Sequence, residues 1–260
     1  MSKALPNAVW SAFGALVVLF MLTPLVLVVL FSFGQSALTN FPMGGLTLDW
    51  YRALLANDTF WSAARNSAIV AISVGLVSTV VGTMAALALV RMPARYSQVL
   101  LHVVSFPIML PALVIAVALM MFFVRMLGLP LGRPTVILAH LVITQPFVIL
   151  VVHARMAGFD HALVDSARDL GASAVTAFFT ITLPIVRTTI IGAALIAMAI
   201  SLDDAIITSF TIGSGNTIST LVLSMVRTSL DPSINASATI LIALTMGATL
   251  LALWSSRYRG

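Results

Sequence analysis

The chain has 260 residues, 60% of them hydrophobic and only 8% charged, with a formal net charge of +5 and a mean hydropathy of +1.12. Soluble domains carry roughly 25% charged residues, so this sequence cannot solvate a globular surface and belongs to an integral membrane protein, in which a basic excess is a topology signal rather than a nucleic-acid footprint. Cysteine is absent, which excludes disulfides, thiolate metal sites and thiol nucleophiles.

A bilayer-spanning helix needs about 20 mostly apolar residues. Six stretches meet that requirement, at about 9–33, 67–90, 99–124, 135–152, 188–210 and 236–254. The first is too long for the apolar region of a cleaved signal peptide and reads as a retained span. Between the first and second lies an external loop over about 34–66. Its segment LTLDWYRALLAND is amphipathic and suits the membrane surface, with Trp50 and Tyr51 at headgroup level. Residues 1–65 therefore read as an N-terminal transmembrane helix with its external loop, and 66–255 as the main membrane core.

Six spans place both termini on one side. With cytoplasmic termini, the inner segments hold Lys3, Arg91, Arg95, Arg155, Arg168, Arg187, Arg257 and Arg259. The outer ones hold Arg52, Arg65, Arg125, Arg133 and Arg227, a bias of eight to five. The tight RMPAR turn and the RYRG tail decide for cytoplasmic termini. Lys3 is the only lysine and has two residues before it. A phosphate-binding GxxxxGK[ST] loop ends on a lysine, so the chain has no P-loop and any ATP-driven work falls to a partner.

The fourth and fifth spans are separated by a polar, punctuated segment at about 160–184, which contains DSARDLGASAVTAFFTITLP. Asp160 can cap a first short helix by accepting early backbone N–H groups. Leu163, Val164, Ala167 and Leu170 recur at helical spacing on one face. Gly171 suits the left-handed residue that ends a helix, Ser173 can start a second, and Pro184 marks a turn into the fifth span. Physically this is either an interfacial hairpin tucked beneath its own bundle or a protruding knob that enters another protein's groove.

These residues resemble the cytoplasmic signature of binding-protein-dependent ABC importer permeases, EAA-x3-G-x9-I-x-L-P. Asp165-Ser166-Ala167, Gly171, Ile181, Leu183 and Pro184 match it in every spacing. Aspartate replaces glutamate, and serine the first alanine. SLDDAIITSF at 201–210, NASATI at 235–240, LTLDWY and RNSAIVAISVGLVSTVVGT are similar to the spermidine/putrescine branch. The resemblance implies an all-α, six-helix, type I ABC importer permease fold in the bacterial inner membrane, with a cytoplasmic coupling helix. It implies three kinds of partner: a cytoplasmic ATPase dimer carrying ATP and Mg, a second homologous permease, and an external substrate-binding protein. Asp165 would contact the ATPase, Ser166 and Ala167 would allow close approach, and Gly171 would make the turn.

In the fifth span, Ser201-Leu202-Asp203-Asp204 interrupts an apolar run. Asp203 lies roughly 22 Å along a helix from Thr188. An aspartate near the bilayer centre costs about 2.5–3.5 kcal/mol on insertion scales, so two acids should face a water-filled route or a partner. Adjacent helical positions point about 100° apart, which gives one acid to the path and the other to backbone or a basic neighbour. The alternative is that the span ends near Leu202 and the acids merely terminate it, against which the continuation AIITSF argues. Ser201, Asp203, Asp204 and Trp50 are thus candidates for the substrate pathway. Polyamine members often carry an acid after the proline of the third span, whereas this chain reads Pro111-Ala112.

His102, His140, His153 and His161 have no metal-site spacing and read as structural. GSGN at 213–216 suits an external turn, and Gln145-Pro146 a kink. No catalytic constellation is present, so the reading is a transport subunit and not an enzyme. The competing reading is an ion-coupled secondary transporter using Asp203 and Asp204.

Overall fold

In the computed structural model the backbone is described for residues 4–36, 43–228 and 233–257, and side chains for 9–36, 43–227 and 233–247. Lys3 and Arg259, two of the topology-setting basic residues, lie outside the described residues, as do loop residues 37–42. The elements described are helical: α1 (Ala4–Ser32), α2 (Asp49–Leu55), α3 (Asp58–Val90), α4 (Ala94–Met109), α5 (Ala112–Met121), α6 (Arg133–Ala157), α7 (Ala162–Asp169), α8 (Ala174–Ala177), α9 (Leu183–Asp203), α10 (Ile206–Thr211), α11 (Ile218–Thr228) and α12 (Ser233–Arg257). Single π turns follow α5, at Phe122–Met126, and α8, at Phe178–Thr182.

Among the described residues, four continuous helical runs are long and apolar enough to cross a bilayer: Val9–Ser32, Asp58–Val90, Arg133–Ala157 and Ala174–Asp203. The third expected span is not straight. α4 and the run Ala112–Met126 meet at 98°. Leu110 and Pro111 are both extended, with ψ of 144° and 133°. The proline ring disfavours helix at the preceding residue and removes a backbone donor, and an apolar count does not register this. α12 is apolar over its described part, Ser233–Gly247. α3 begins at Asp58, so the loop expected to be external is shorter than the sequence suggested. At 33 residues it is about 50 Å long, against roughly 30 Å of hydrocarbon, and its polar first turns extend past the apolar layer.

Two other expectations fail. Pro184 does not make a turn: α8, the π turn and α9 form one continuous 30-residue helix. A proline ring collides with the carbonyl four residues back, and the wider π turn just before it absorbs the misfit. The fifth span does not run to Phe210 either, because α9 stops at Asp203 and α10 begins at Ile206.

The chain divides into two compact units, Met1–Trp61 with Val222–Leu244, and Ser62–Leu221 with Thr245–Gly260. In the first, the Tyr51 hydroxyl lies 2.6 Å from Ser32 Oγ and the Trp50 indole N–H donates to the Gly34 carbonyl at 2.8 Å. These bonds tie α2 to the end of α1. The second unit is built on α3, α6 and α9, whose core contains Ala86, Val148, Val152, Met156, Val186, Ala193 and Ala197. Helices in lipid gain little from the hydrophobic effect and associate by close packing of small residues. Gly82 shows how close: a Cβ there would lie 2.6 Å from Val148 Cγ1. A further cluster joins α5, α6 and α10 through Ile115, Ala116, Ala139 and Ile207.

Candidate functional sites: an exposed helical knob and a broken span

The segment between α6 and α9 folds as a helix, a turn and a second helix. Asp160 Oδ1 accepts the Ala162 N–H at 3.0 Å, which satisfies an otherwise orphaned donor at the start of α7. Gly171 ends α7 with φ of +91°. Its N–H reaches the Arg168 carbonyl at 2.9 Å, and the Ala172 N–H reaches that of Ala167 at 3.0 Å. This is the paired-bond helix stop that requires a left-handed residue. Ser173 Oγ then accepts the Thr176 N–H at 3.1 Å and caps α8.

The apolar face expected on α7 is split. Val164 packs against the α3–α6–α9 core, but Leu170 is 90% exposed and Leu163, Val175 and Phe179 are exposed as well. None of the α7 side chains is buried. Asp165 and Ser166 are exposed and Ala167 is half-buried. Asp165 and Arg168 also line a cavity of about 290 Å³ with Arg91, Phe159 and Phe178. A tucked hairpin would bury Leu170, so the geometry is that of a knob with apolar and charged side chains turned outward.

The second site is the break between α9 and α10. Asp204 caps α9 in an extended conformation, with ψ of 114°. Its Oδ2 accepts the Thr208 N–H at 2.8 Å, and its carbonyl accepts hydroxyls from Thr208 and Ser219, each at 2.9 Å. The imidazole of His140, on α6, spans the gap. Nδ1 is 2.8 Å from Ser201 Oγ in the last turn of α9, and Nε2 is 2.9 Å from Thr208 Oγ1 in the first turn of α10. Nε2 is also 3.3 Å from Asp204 Oδ2. One turn further along α6, Thr144 Oγ1 donates to the His140 carbonyl and lies 2.7 Å from Ser78 Oγ of α3.

Ser201 and Asp204 therefore meet in one network. Asp203 does not join it: it is exposed, and its side chain makes no hydrogen bond among the described residues. Trp50 belongs to the other compact unit and is held by Gly34. The acids differ in environment as adjacent helical positions should, but the helix ends between them. The sequence reads His140 as a structural histidine, and the structure shows it buried with both ring nitrogens bonded. The available signal was the pair His140 and Thr144, two polar residues four apart in an apolar span, which share one face.

A helical membrane core with a bent span, an exposed knob and acids at a broken helix suits a solute permease. The chain belongs to the family of binding-protein-dependent transport system inner membrane components, whose sequence profile matches residues 78–258. Among its relatives, it is 33% identical over 242 residues to the spermidine/putrescine transport system permease protein PotC of Haemophilus influenzae, which covers 93% of each chain. It is 34% identical over 230 residues to the putrescine transport system permease protein PotI of Escherichia coli, covering 86% of this chain and 82% of that one. In fold it is similar to a chain of a bacterial alginate ABC transporter solved in complex with an alginate-bound periplasmic protein. The TM-score there is 0.73 at 17% identity, over 98% of this chain and 94% of the other. That likeness concerns the fold alone.

Proposed function

We propose that this chain is the permease subunit of an ATP-driven importer that carries spermidine, putrescine or a related small amino compound into the cytoplasm by alternating access. The observation that carries the reading is the exposed knob at 160–184, on a member of this permease family. Asp165, Ser166, Ala167 and the Gly171 turn form the docking element for a cytoplasmic ATPase dimer, which binds ATP and Mg. Small side chains at Ser166 and Ala167 let the helix sit deep in a groove, and the exposed Leu170 gives it an apolar contact. The remaining partners are a second homologous permease, an external binding protein and the lipid of the bacterial inner membrane, with both termini cytoplasmic.

In this reading, closure of the ATPase pair draws two such knobs together and the helical bundles rock as rigid bodies. That shifts the population between outward- and inward-facing states through differential partner contacts. The polyamine assignment rests on the names of the relatives and on acids where a cation would shed its water: Asp203 exposed, Asp204 at the helix break, Ser201 beside it and Trp50 near the membrane surface. Ala112 supplies no charge after the Pro111 bend, so this route holds its cation with fewer acids and also suits a related amino compound.

The test is uptake of labelled putrescine and spermidine by cells expressing the whole system. Uptake should vanish when the partner ATPase is inactivated and persist when an ionophore collapses ion gradients while ATP is maintained. Uptake that survives loss of the ATPase and fails with the ionophore would establish the ion-coupled reading instead.

A further inference from the structure

We infer that His140 is a positioning residue for transport: it fixes the Asp204 carboxylate and holds the α9–α10 break at a set geometry. The inference rests on the reading of Asp204 as part of the cation route. His140 is fully buried, at 0% exposure, in the middle of an apolar helix. Burying a polar ring in a membrane core is costly unless its nitrogens are bonded, and both are.

The hydrogens can be assigned from the neighbours. A bare Nε2 would set its lone pair against Asp204 Oδ2 at 3.3 Å, so the hydrogen belongs on Nε2 and points at Thr208 Oγ1 and that oxygen. Thr208 Oγ1 then donates onward to the Asp204 carbonyl, 2.9 Å away, and Ser201 Oγ can donate to Nδ1 at 2.8 Å. Every contact of the carboxylate made by Thr208 and His140 falls on Oδ2. Among the described residues Oδ1 makes no hydrogen bond, and on the pathway reading it is the oxygen offered to a cation. The imidazole thus holds one oxygen while the other stays available.

The arrangement also explains why the span breaks where the sequence would continue. Ser201 and Thr208 lie on opposite sides of the break, and one rigid ring from α6 bonds both. Nε2 carries the contacts to α10 and the carboxylate, and Nδ1 carries the contact to the end of α9. Glutamine and asparagine separate the two contacts. A glutamine amide can reach the position of Nε2, whereas an asparagine amide reaches only that of Nδ1.

The experiment compares His140→Gln, His140→Asn and His140→Leu, alone and combined with Asp204→Asn, in the complete transport system. It measures concentration-dependent uptake of labelled putrescine and spermidine, with membrane level and ATPase copurification as assembly controls. Loss of a hydrogen bond to a charged group predicts roughly a tenfold or greater rise in half-saturating concentration for His140→Asn and His140→Leu. His140→Gln should stay within about threefold of the unchanged chain, because it restores the donor to Thr208 and Asp204. In the Asp204→Asn background the His140 substitutions should add little, since the residue they act through is already altered.

Fully additive losses, or a His140→Gln as impaired as His140→Asn, would overturn the positioning role. If Asp204→Asn alone takes up substrate normally, the pathway reading of Asp204 fails and the proposal fails with it. A deficit in Asp204→Asn with additive His140 losses removes only the proposal. If His140→Leu does not reach the membrane, the Gln and Asn pair decides the matter.

Discussion

Replacing Gly171 by alanine isolates the contribution of a single turn to the knob. The residue sits at φ of +91°, and a Cβ built there meets nothing within 4 Å. The substitution therefore introduces no clash, and its whole cost is the left-handed backbone of an L-residue, about 1–2 kcal/mol. At about 1.4 kcal/mol per tenfold, the equilibrium constant for holding the helix–turn–helix in register should fall roughly five- to thirtyfold. Asparagine tolerates this region far better than alanine, so Gly171→Asn should lose no more than about threefold. The assay is copurification of the cytoplasmic ATPase with the permease, normalised to permease in the membrane, together with substrate uptake. The reasoning is refuted if Gly171→Ala binds ATPase and transports at the unchanged level, or if asparagine is as damaging as alanine.

Asp165→Lys reverses the charge of an exposed side chain on α7 and should uncouple ATP hydrolysis from uptake without reducing membrane insertion; normal uptake by this variant counts against the docking role. Asp203→Asn removes an exposed charge that no hydrogen bond holds among the described residues, so uptake at limiting substrate should fall severalfold while complex assembly is unchanged. Unaltered uptake at limiting substrate would rule out the pathway role of Asp203. Gly82→Ala places a Cβ 2.6 Å from Val148 Cγ1 and should cost about 1–3 kcal/mol of packing, seen as a lower thermal midpoint of the purified complex. Val148→Ala removes the nearer colliding atom and leaves Val148 Cβ at 2.9 Å, so the double variant should recover part of the loss; a double variant no better than Gly82→Ala contradicts the close α3–α6 approach.

The knob was readable because its punctuation is local. Asp160, Gly171 and Ser173 each act on backbone within two or three residues, and the structure shows each hydrogen bond or dihedral that the residue type suggested. Pro184 was misread by the same local logic, since a turn was not needed where a π turn could absorb the ring. The bend at Leu110–Pro111 was hidden by an apolar composition that runs unbroken through it. The end of α9 was hidden for a different reason. AIITSF is as apolar as a continuing span, and the break is stabilised from α6 by His140, 61 residues before Ser201. No periodicity within the fifth span carries that information. The acids themselves were visible as anomalies, but which of them is bonded and which is exposed depends on tertiary neighbours.

Because the chain has no cysteine, a single thiol reports without background on the central claim, that the 160–184 knob docks on a cytoplasmic ATPase. The measurement is thiol cross-linking of Ser166→Cys, on the exposed face of α7, in membranes containing the complete transport system. The expected result is a cross-linked product of permease and ATPase subunit whose yield changes with nucleotide, with no labelling of the thiol by an impermeant reagent added outside intact cells. Labelling from outside, with no product to the ATPase under any nucleotide condition, would contradict the account.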